Sequence, residues 1–288
     1  MPELALFTAP DALRAAVADA RRSGKHIGLV PTMGNLHDGH LTLVTEARRH
    51  CDFVIATIFV NPLQFGPAED LDKYPRTLAA DRAGLQAAGC DALFMPDAAT
   101  MYPHGLDVHT KISVPQVSTL HCGRTRPGHF DGVCTIVNKL FMMAQPDTAF
   151  FGLKDFQQFH IISRMVADLC IPIELHGIPT VREASGLAMS SRNGYLTADE
   201  RTRAASLYAT LRDCAARIER GNHDYAALES EACAMLATAG LRADYVHVCA
   251  RASLLPAASS DRELVILAAA WAGTTRLIDN ILVTAAPL

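Results

Sequence analysis

Residues 31–40 read Pro31-Thr32-Met33-Gly34-Asn35-Leu36-His37-Asp38-Gly39-His40 and follow the short apolar run Ile27-Gly28-Leu29-Val30. Two imidazoles three residues apart, with only Asp38 and Gly39 between them, can both point at one phosphate chain if a helix begins near His37. A strand that ends in a Gly-containing turn and opens a helix also presents backbone N–H groups and the positive helix end, where an anion docks. The chemistry suggested is that of a nucleotide. Leu41, Leu43, Val44 and Ala47 supply the apolar face of the helix that must follow.

Three further polar segments carry chemistry. Gly152-Leu153-Lys154-Asp155-Phe156-Gln157-Gln158 again joins a strand end to a charged turn and a helix start, and Lys154 can balance polyphosphate charge. Asp155 either caps that helix or helps to hold Mg2+ through water, and Gln158 lies one turn in. Ala188-Met189-Ser190-Ser191-Arg192-Asn193-Gly194 offers two hydroxyls, a guanidinium and backbone donors, an inventory suited to phosphate oxygens. Asn61, Gln64 and Tyr74 are neutral groups of the kind that orient a small hydroxy acid. Arg124-Thr125-Arg126-Pro127-Gly128-His129-Phe130 adds positive charge that serves either a nucleotide or a domain interface.

These segments need a scaffold, and the apolar runs supply one. Residues 27–30, 53–60, 92–96, 148–151 and 173–178 read as strands, alternating with helical patterns over 41–50, 78–88, 133–143 and 156–169. Such alternation predicts an α/β fold with a Rossmann-like parallel sheet, and ligands in open sheets of this kind bind beyond the carboxyl ends of the strands. Residues 1–183 are assigned to this domain. A smaller C-terminal α+β domain, 184–288, has helices over 199–220 and 225–239 and strands over 245–249, 264–270 and 277–283. The loop between them, 182–195, has the position of a movable lid.

Composition narrows the function. The chain has 288 residues, half of them hydrophobic, and a formal net charge of −4, with no polybasic run, which argues against nucleic acid as a partner. The apolar stretch 264–272 is too short to span a bilayer, and the first residues lack the pattern of a secretory signal, so a cytoplasmic location is expected. The eight cysteines form no C-x-x-C pair, so neither a zinc site nor a redox motif is indicated. His121-Cys122 beside His129 lacks a second local pair to complete a metal site.

Taken together, the segments PTMGNLHDGH (31–40), FVNPLQFGPAEDLDKYPRT (59–77), RPGHFDGV (126–133), FFGLKDFQQ (150–158) and VREASGLAMSSRN (181–193) closely resemble the pantothenate synthetase (pantoate beta-alanine ligase) family. The resemblance implies a nucleotidyltransferase-type Rossmann domain, a cytoplasmic homodimer, and use of ATP with Mg2+. It implies that Met33, Gly34, Asn35, Leu36, His37, Asp38, Gly39, His40, Gly152, Leu153, Lys154, Asp155, Val181, Met189, Ser190, Ser191 and Arg192 line the ATP site. Gln64 and Gln158 would hold pantoate, with Gln64 also near beta-alanine, and His37 would be the proton donor. Leu153 departs from the acidic residue often found in the family's GEKD segment, a change that activity is expected to survive.

By the same resemblance, pantoate attacks the α-phosphorus of ATP to give pantoyl adenylate and pyrophosphate, and the amine of beta-alanine then displaces AMP. His37, His40, Lys154 and Arg192 are the charge-matched donors of that scheme. The metal ligands stay open among Asp70, Asp72, Asp81 and Asp155. Two other readings make different predictions. A class I aminoacyl-tRNA synthetase fragment or another adenylyltransferase would differ in whether pyrophosphate exchange requires pantoate or an amino acid, and a nucleotide-sensing or metal-binding module using the same histidines would form no AMP.

Overall fold

The computed structural model describes residues 3–66, 69 and 71–287. In chain order its elements begin with β1 (Ala5–Phe7), α1 (Pro10–Arg22), β2 (Ile27–Thr32), α2 (Asp38–His50), β3 (Phe53–Ile58), α3 (Leu78–Ala87) and β4 (Ala92–Phe94). They continue with α4 (Ala98–Met101), α5 (Cys122–Thr125), α6 (His129–Ala144), β5 (Thr148–Gly152), α7 (Phe156–Asp168) and β6 (Glu174–Ile178). The last are α8 (Ala198–Ala204), α9 (Ser206–Glu219), α10 (Tyr225–Thr238), β7 (Arg242–Ala250), β8 (Glu263–Ala272) and β9 (Thr275–Thr284). The chain divides into two compact units.

The first unit comprises the residues up to Thr119, Gly123–Leu153 and Gln158–Pro179. Its six strands pair in the order β1-β4-β3-β2-β5-β6, all parallel. The order reverses at β2, whose neighbours β3 and β5 lead to opposite edges. The crevice beyond the carboxyl ends of β2 and β5 is therefore the topological switch point. Strands buried on both faces read as continuous apolar runs, and Ile27, Leu29, Val30, Val54, Ile55 and Ala56 are all fully buried. Helix α2 closes one face with Leu43, Val44 and Ala47, packed in a core with Leu85, Leu93 and Phe150.

The second unit takes up the chain at Thr180 and also includes Leu120–Cys122 and Lys154–Gln157. The composition-based boundary at 183 is linear and has no room for those two short segments. Three antiparallel strands, β7-β8-β9, form its sheet. One face is covered by α9 and α10, whose Leu207, Leu211, Ile218, Leu228 and Leu236 pack on Leu264, Ile266 and Ala268.

Several element limits differ from the sequence reading, each for a physical reason. Helix α2 starts at Asp38 rather than 41 because His37 caps it, and α6 starts four residues early, at His129, after the left-handed Gly128. The single helix expected over 199–220 is two, α8 and α9, which meet at Ala205. Periodicity alone cannot register that break, because Ala205 keeps helical angles. Strand β1 and helix α1, at the start of the chain, were not anticipated.

Candidate active site

In the first unit, the loop between β2 and α2 is held almost wholly by its own chain. Gly34 and Asn35 both take positive φ, 84° and 51°, a conformation open to glycine and tolerated by asparagine. That turn directs two successive amides at one carboxylate: Asn35 N donates to Asp81 Oδ2 at 2.9 Å and Leu36 N to Asp81 Oδ1 at 2.8 Å. Thr77 Oγ1 donates to the same Oδ1 at 2.9 Å. Asp81 is only 3% exposed.

The two histidines then cap α2. Gly39 N donates to His37 Nδ1 at 3.1 Å, and His37 N donates to His40 Nδ1 at 3.4 Å, a reciprocal capping box built from imidazoles. Their ring centroids lie 4.1 Å apart. With each Nδ1 accepting, the proton of each neutral ring sits on Nε2. The amides of Gly34, Asn35, Leu36, His37, Gly39 and His40 all have acceptors inside the chain. The backbone anion dock expected of this turn is thus already occupied at those positions.

Beyond β3, Asn61 is 1% exposed and organises the next loop. Its Oδ1 accepts from Tyr102 OH at 2.7 Å, and its Nδ2 donates to Gly132 O at 3.1 Å and Gln64 Oε1 at 3.3 Å. Gln64 Nε2 in turn meets Met33 Sδ at 2.8 Å. Gly132 has to be glycine, because a Cβ there would stand 2.4 Å from Leu63 O. Burial pushes the Tyr102 phenol well above its ordinary pKa, so it stays a neutral donor.

Arg126 and His129, considered for nucleotide or interface contacts, brace this loop: Arg126 pairs with Glu69 and, like His129, reaches Gln64 O.

The Gly152–Gln158 segment separates two adjacent glutamines. Leu153, the departure from the acidic residue, lies over Gly177 of β6, where a Cβ would come within 2.5 Å of Leu153 Cδ2. Gln158 is half-buried. Gln157, in the second unit, is 5% exposed and clamps the 120–122 segment, its Oε1 accepting from Cys122 N and its Nε2 donating to Leu120 O.

In the second unit, Lys154 Nζ lies 3.5 Å from Asp155 Oδ2, and the Lys154 carbonyl accepts from Asn280 Nδ2 at 2.9 Å. Val181 O accepts from Met189 N at 3.0 Å, closing a narrow hairpin. Ser190 Oγ caps the 3-10 turn Ser191–Tyr195 by accepting from Arg192 N at 3.2 Å. Asn193 holds that turn through Glu183 and the Ala188 carbonyl, and Glu183 is gripped by Arg201 at both oxygens. That bond, first among its causes, keeps the Glu183 carboxyl below its ordinary pKa.

Tyr102, Glu183 and Asn280, which brace these loops, were missed by sequence reasoning, and Asp81 was named there only as a metal candidate. A signal existed for two of them. Asp81 stands four residues before buried Leu85 on an inward helix face, and Asp279-Asn280 interrupts the apolar run of β9.

Comparison with known proteins decides what this arrangement belongs to. The sequence profile described as Pantoate-beta-alanine ligase matches residues 5–282. The chain belongs to the pantoate-beta-alanine ligase family. It is 60% identical over 269 residues to a pantothenate synthetase of Pseudomonas putida, covering 93% of this chain and 94% of that one. It is 58% identical to that of Azotobacter vinelandii, covering 93% and 95%. The crystal structure of pantothenate synthetase from Thermus thermophilus superposes with a TM-score of 0.90 at 42% identity, over 96% of this chain and 99% of that one. A pantoate-beta-alanine ligase from Francisella tularensis, complexed with beta-gamma ATP and beta-alanine, gives a TM-score of 0.81 at 31% identity, covering 97% of each chain.

Of the carboxylates considered as metal ligands for a pantoate-beta-alanine ligase, the described ones have the following surroundings. Asp81 is engaged by two amides and a hydroxyl, Asp155 pairs with Lys154, Asp72 is exposed, and Asp70 lies outside the described residues. Among the described residues no three His, Cys, Asp or Glu side chains cluster as a metal site. His129 and His121 also serve elsewhere, with Gln64 O and with His247. Among the described residues no helix is long and apolar enough to cross a membrane.

Proposed function

We propose that this ligase condenses (R)-pantoate with beta-alanine in two steps. The pantoate carboxylate attacks the α-phosphorus of ATP, the bond to pyrophosphate breaks, and pantoyl adenylate forms. The free amine of beta-alanine then attacks the acyl carbon, AMP leaves, and pantothenate is released. Both steps build negative charge on phosphate oxygens, so the protein acts mainly by positioning and by preorganised donors.

The observation that carries the assignment is the imidazole capping box. Because Nδ1 of His37 and of His40 already accepts from the backbone, each ring presents Nε2–H without needing a second proton. His37, the proton donor by the family resemblance, is assigned to donate its Nε2–H as a hydrogen bond to the charged oxygens without full loss of the proton, and His40 as a hydrogen-bond donor to phosphate. Lys154 and Arg192 of the second unit supply full positive charge, with Ser190 and Ser191 as hydroxyl donors. Met33 to His40, Gly152 to Asp155, Val181 and Met189 to Arg192 are assigned to ATP. Gln64 and Gln158 are assigned to pantoate, and Gln64 also to beta-alanine. Mg2+ is assigned to the nucleotide itself, arriving on the phosphate oxygens as this ion commonly does. A homodimer in the cytoplasm, with no nucleic-acid or membrane partner, completes the reading.

The test is isotope exchange between pyrophosphate and ATP. Exchange should require pantoate and proceed without beta-alanine, and AMP should accumulate only when both acids are present. Exchange dependent on an amino acid in place of pantoate would overturn the reading.

A further inference from the structure

Asp81 was a metal candidate by residue type, yet its surroundings give it different work. We propose that Asp81 is a positioning residue for the reaction: by holding the amides of Asn35 and Leu36 it fixes the loop whose next residue is His37. The argument starts from the two oxygens. Oδ2 accepts from Asn35 N at 2.9 Å, and Oδ1 accepts from Leu36 N at 2.8 Å and Thr77 Oγ1 at 2.9 Å. Successive amides reach the two oxygens of one carboxylate because Gly34 and Asn35 both take positive φ. The turn and the acceptor therefore define each other, as an anion and its nest do, except that the anion here is part of the protein.

The consequence runs directly to the imidazole. Leu36 is the residue before the cap, so the direction of its amide sets where the chain enters His37. The His37 ring keeps its Nε2–H tautomer only while Gly39 N reaches Nδ1, and His40 does so only while His37 N reaches its own Nδ1. A carboxylate accepts at both oxygens, whereas the amide of asparagine accepts at one and turns N–H groups toward another N–H. Asp81→Asn therefore leaves one loop amide facing a donor at a site that is 3% exposed.

This inference rests on the role proposed for His37, and the test separates the two. In full-length protein with 15N-labelled histidine, wild type should show both rings with the proton on Nε2. Asp81→Asn should move the His37 and His40 signals toward the tautomer average. It should lower kcat by about 10²-fold, the scale of an ångström-sized misplacement, with KM for pantoate within about twofold. The Mg2+ concentration giving half-maximal rate should stay unchanged. A tenfold rise in that concentration would assign Asp81 to the metal and overturn the proposal. So would wild-type ring signals and kcat in Asp81→Asn while His37→Asn is inactive. An active His37→Asn would overturn the His37 role instead, and with it the premise here. If Asp81→Asn fails to fold, Thr77→Val removes one of the three donors and should shift the same ring signals in the same direction. Unmoved signals in that variant would overturn the proposal.

Discussion

The backbone N–H of His37 donates to Nδ1 of His40 at 3.4 Å, so one histidine both caps its helix and fixes the tautomer of the other. A capping role and the proposed catalytic role thus share a pair of side chains. Variants can be chosen to separate them.

Asparagine is among the best N-cap residues, so His37→Asn keeps a side-chain acceptor for α2 while deleting the Nε2–H group. Its melting temperature should match wild type, and kcat should fall on the order of 10² to 10³, the usual loss for one transition-state donor. Lys154→Ala should lose a similar factor. Steady-state kinetics beside thermal melts check both, and near-normal turnover in either variant would remove that residue from the scheme.

The adjacent glutamines should part company. Gln157→Ala leaves the Cys122 amide and the Leu120 carbonyl without their partner, at about 1–3 kcal/mol for each buried group. Gln158→Ala should instead raise KM for pantoate with little change in stability. Urea unfolding of both variants decides the matter, and equal destabilisation would show that the two positions are not distinct.

Arg182 grips Asp279 at 2.6 and 2.9 Å and stacks on Tyr208 with its guanidinium carbon 3.5 Å from the ring centre. Asp279 is 2% exposed at its side chain, and Asp279 Oδ1 also accepts from Asn280 N, the residue that holds the Lys154 carbonyl. Removing one partner of a buried pair costs about 3–5 kcal/mol. Asp279→Ala should therefore destabilise by roughly that much, whereas Arg182→Met with Asp279→Leu should recover a large part. A double variant no better than the single would argue that Asp279 acts without its pair.

Stability against pH should carry the mark of Glu229. Burial holds its carboxyl above the ordinary value of 4.5, partly offset by the bond that Oε1 accepts from Val248 N at 2.7 Å. For an acid whose folded pKa is raised, its stabilisation is complete below the unfolded value and is lost as pH rises through the folded one. Glu229→Gln keeps an oxygen for Val248 and cannot ionise. It should be more stable than wild type at pH 7 and indistinguishable at pH 4, as chemical denaturation at the two pH values would reveal. A constant difference would mean that charge burial is not the cause.

Much of the fold was legible before any coordinates, because parallel strands buried on both faces leave unbroken apolar runs and covering helices leave a period. Ile27 to Val30, Phe53 to Ile58 and the spacing of Leu43, Val44 and Ala47 needed no tertiary information. The residue types of the candidate site were equally plain: histidines at a helix mouth, a lysine after a strand and a serine–arginine loop. What stayed hidden were partnerships across the chain. Asp81 lies 46 residues from Asn35, Asn280 lies 126 from Lys154, and Tyr102 lies 41 from Asn61. A buried acceptor is matched to its donor by geometry in three dimensions, and spacing along the sequence carries no trace of it. The sequence by itself thus determined which groups could meet a phosphate and on what kind of scaffold. Only the tertiary structure decided that the loop amides already belong to Asp81, that Gln157 is a clamp where Gln158 is not, and that Nδ1 of each paired imidazole accepts from the backbone.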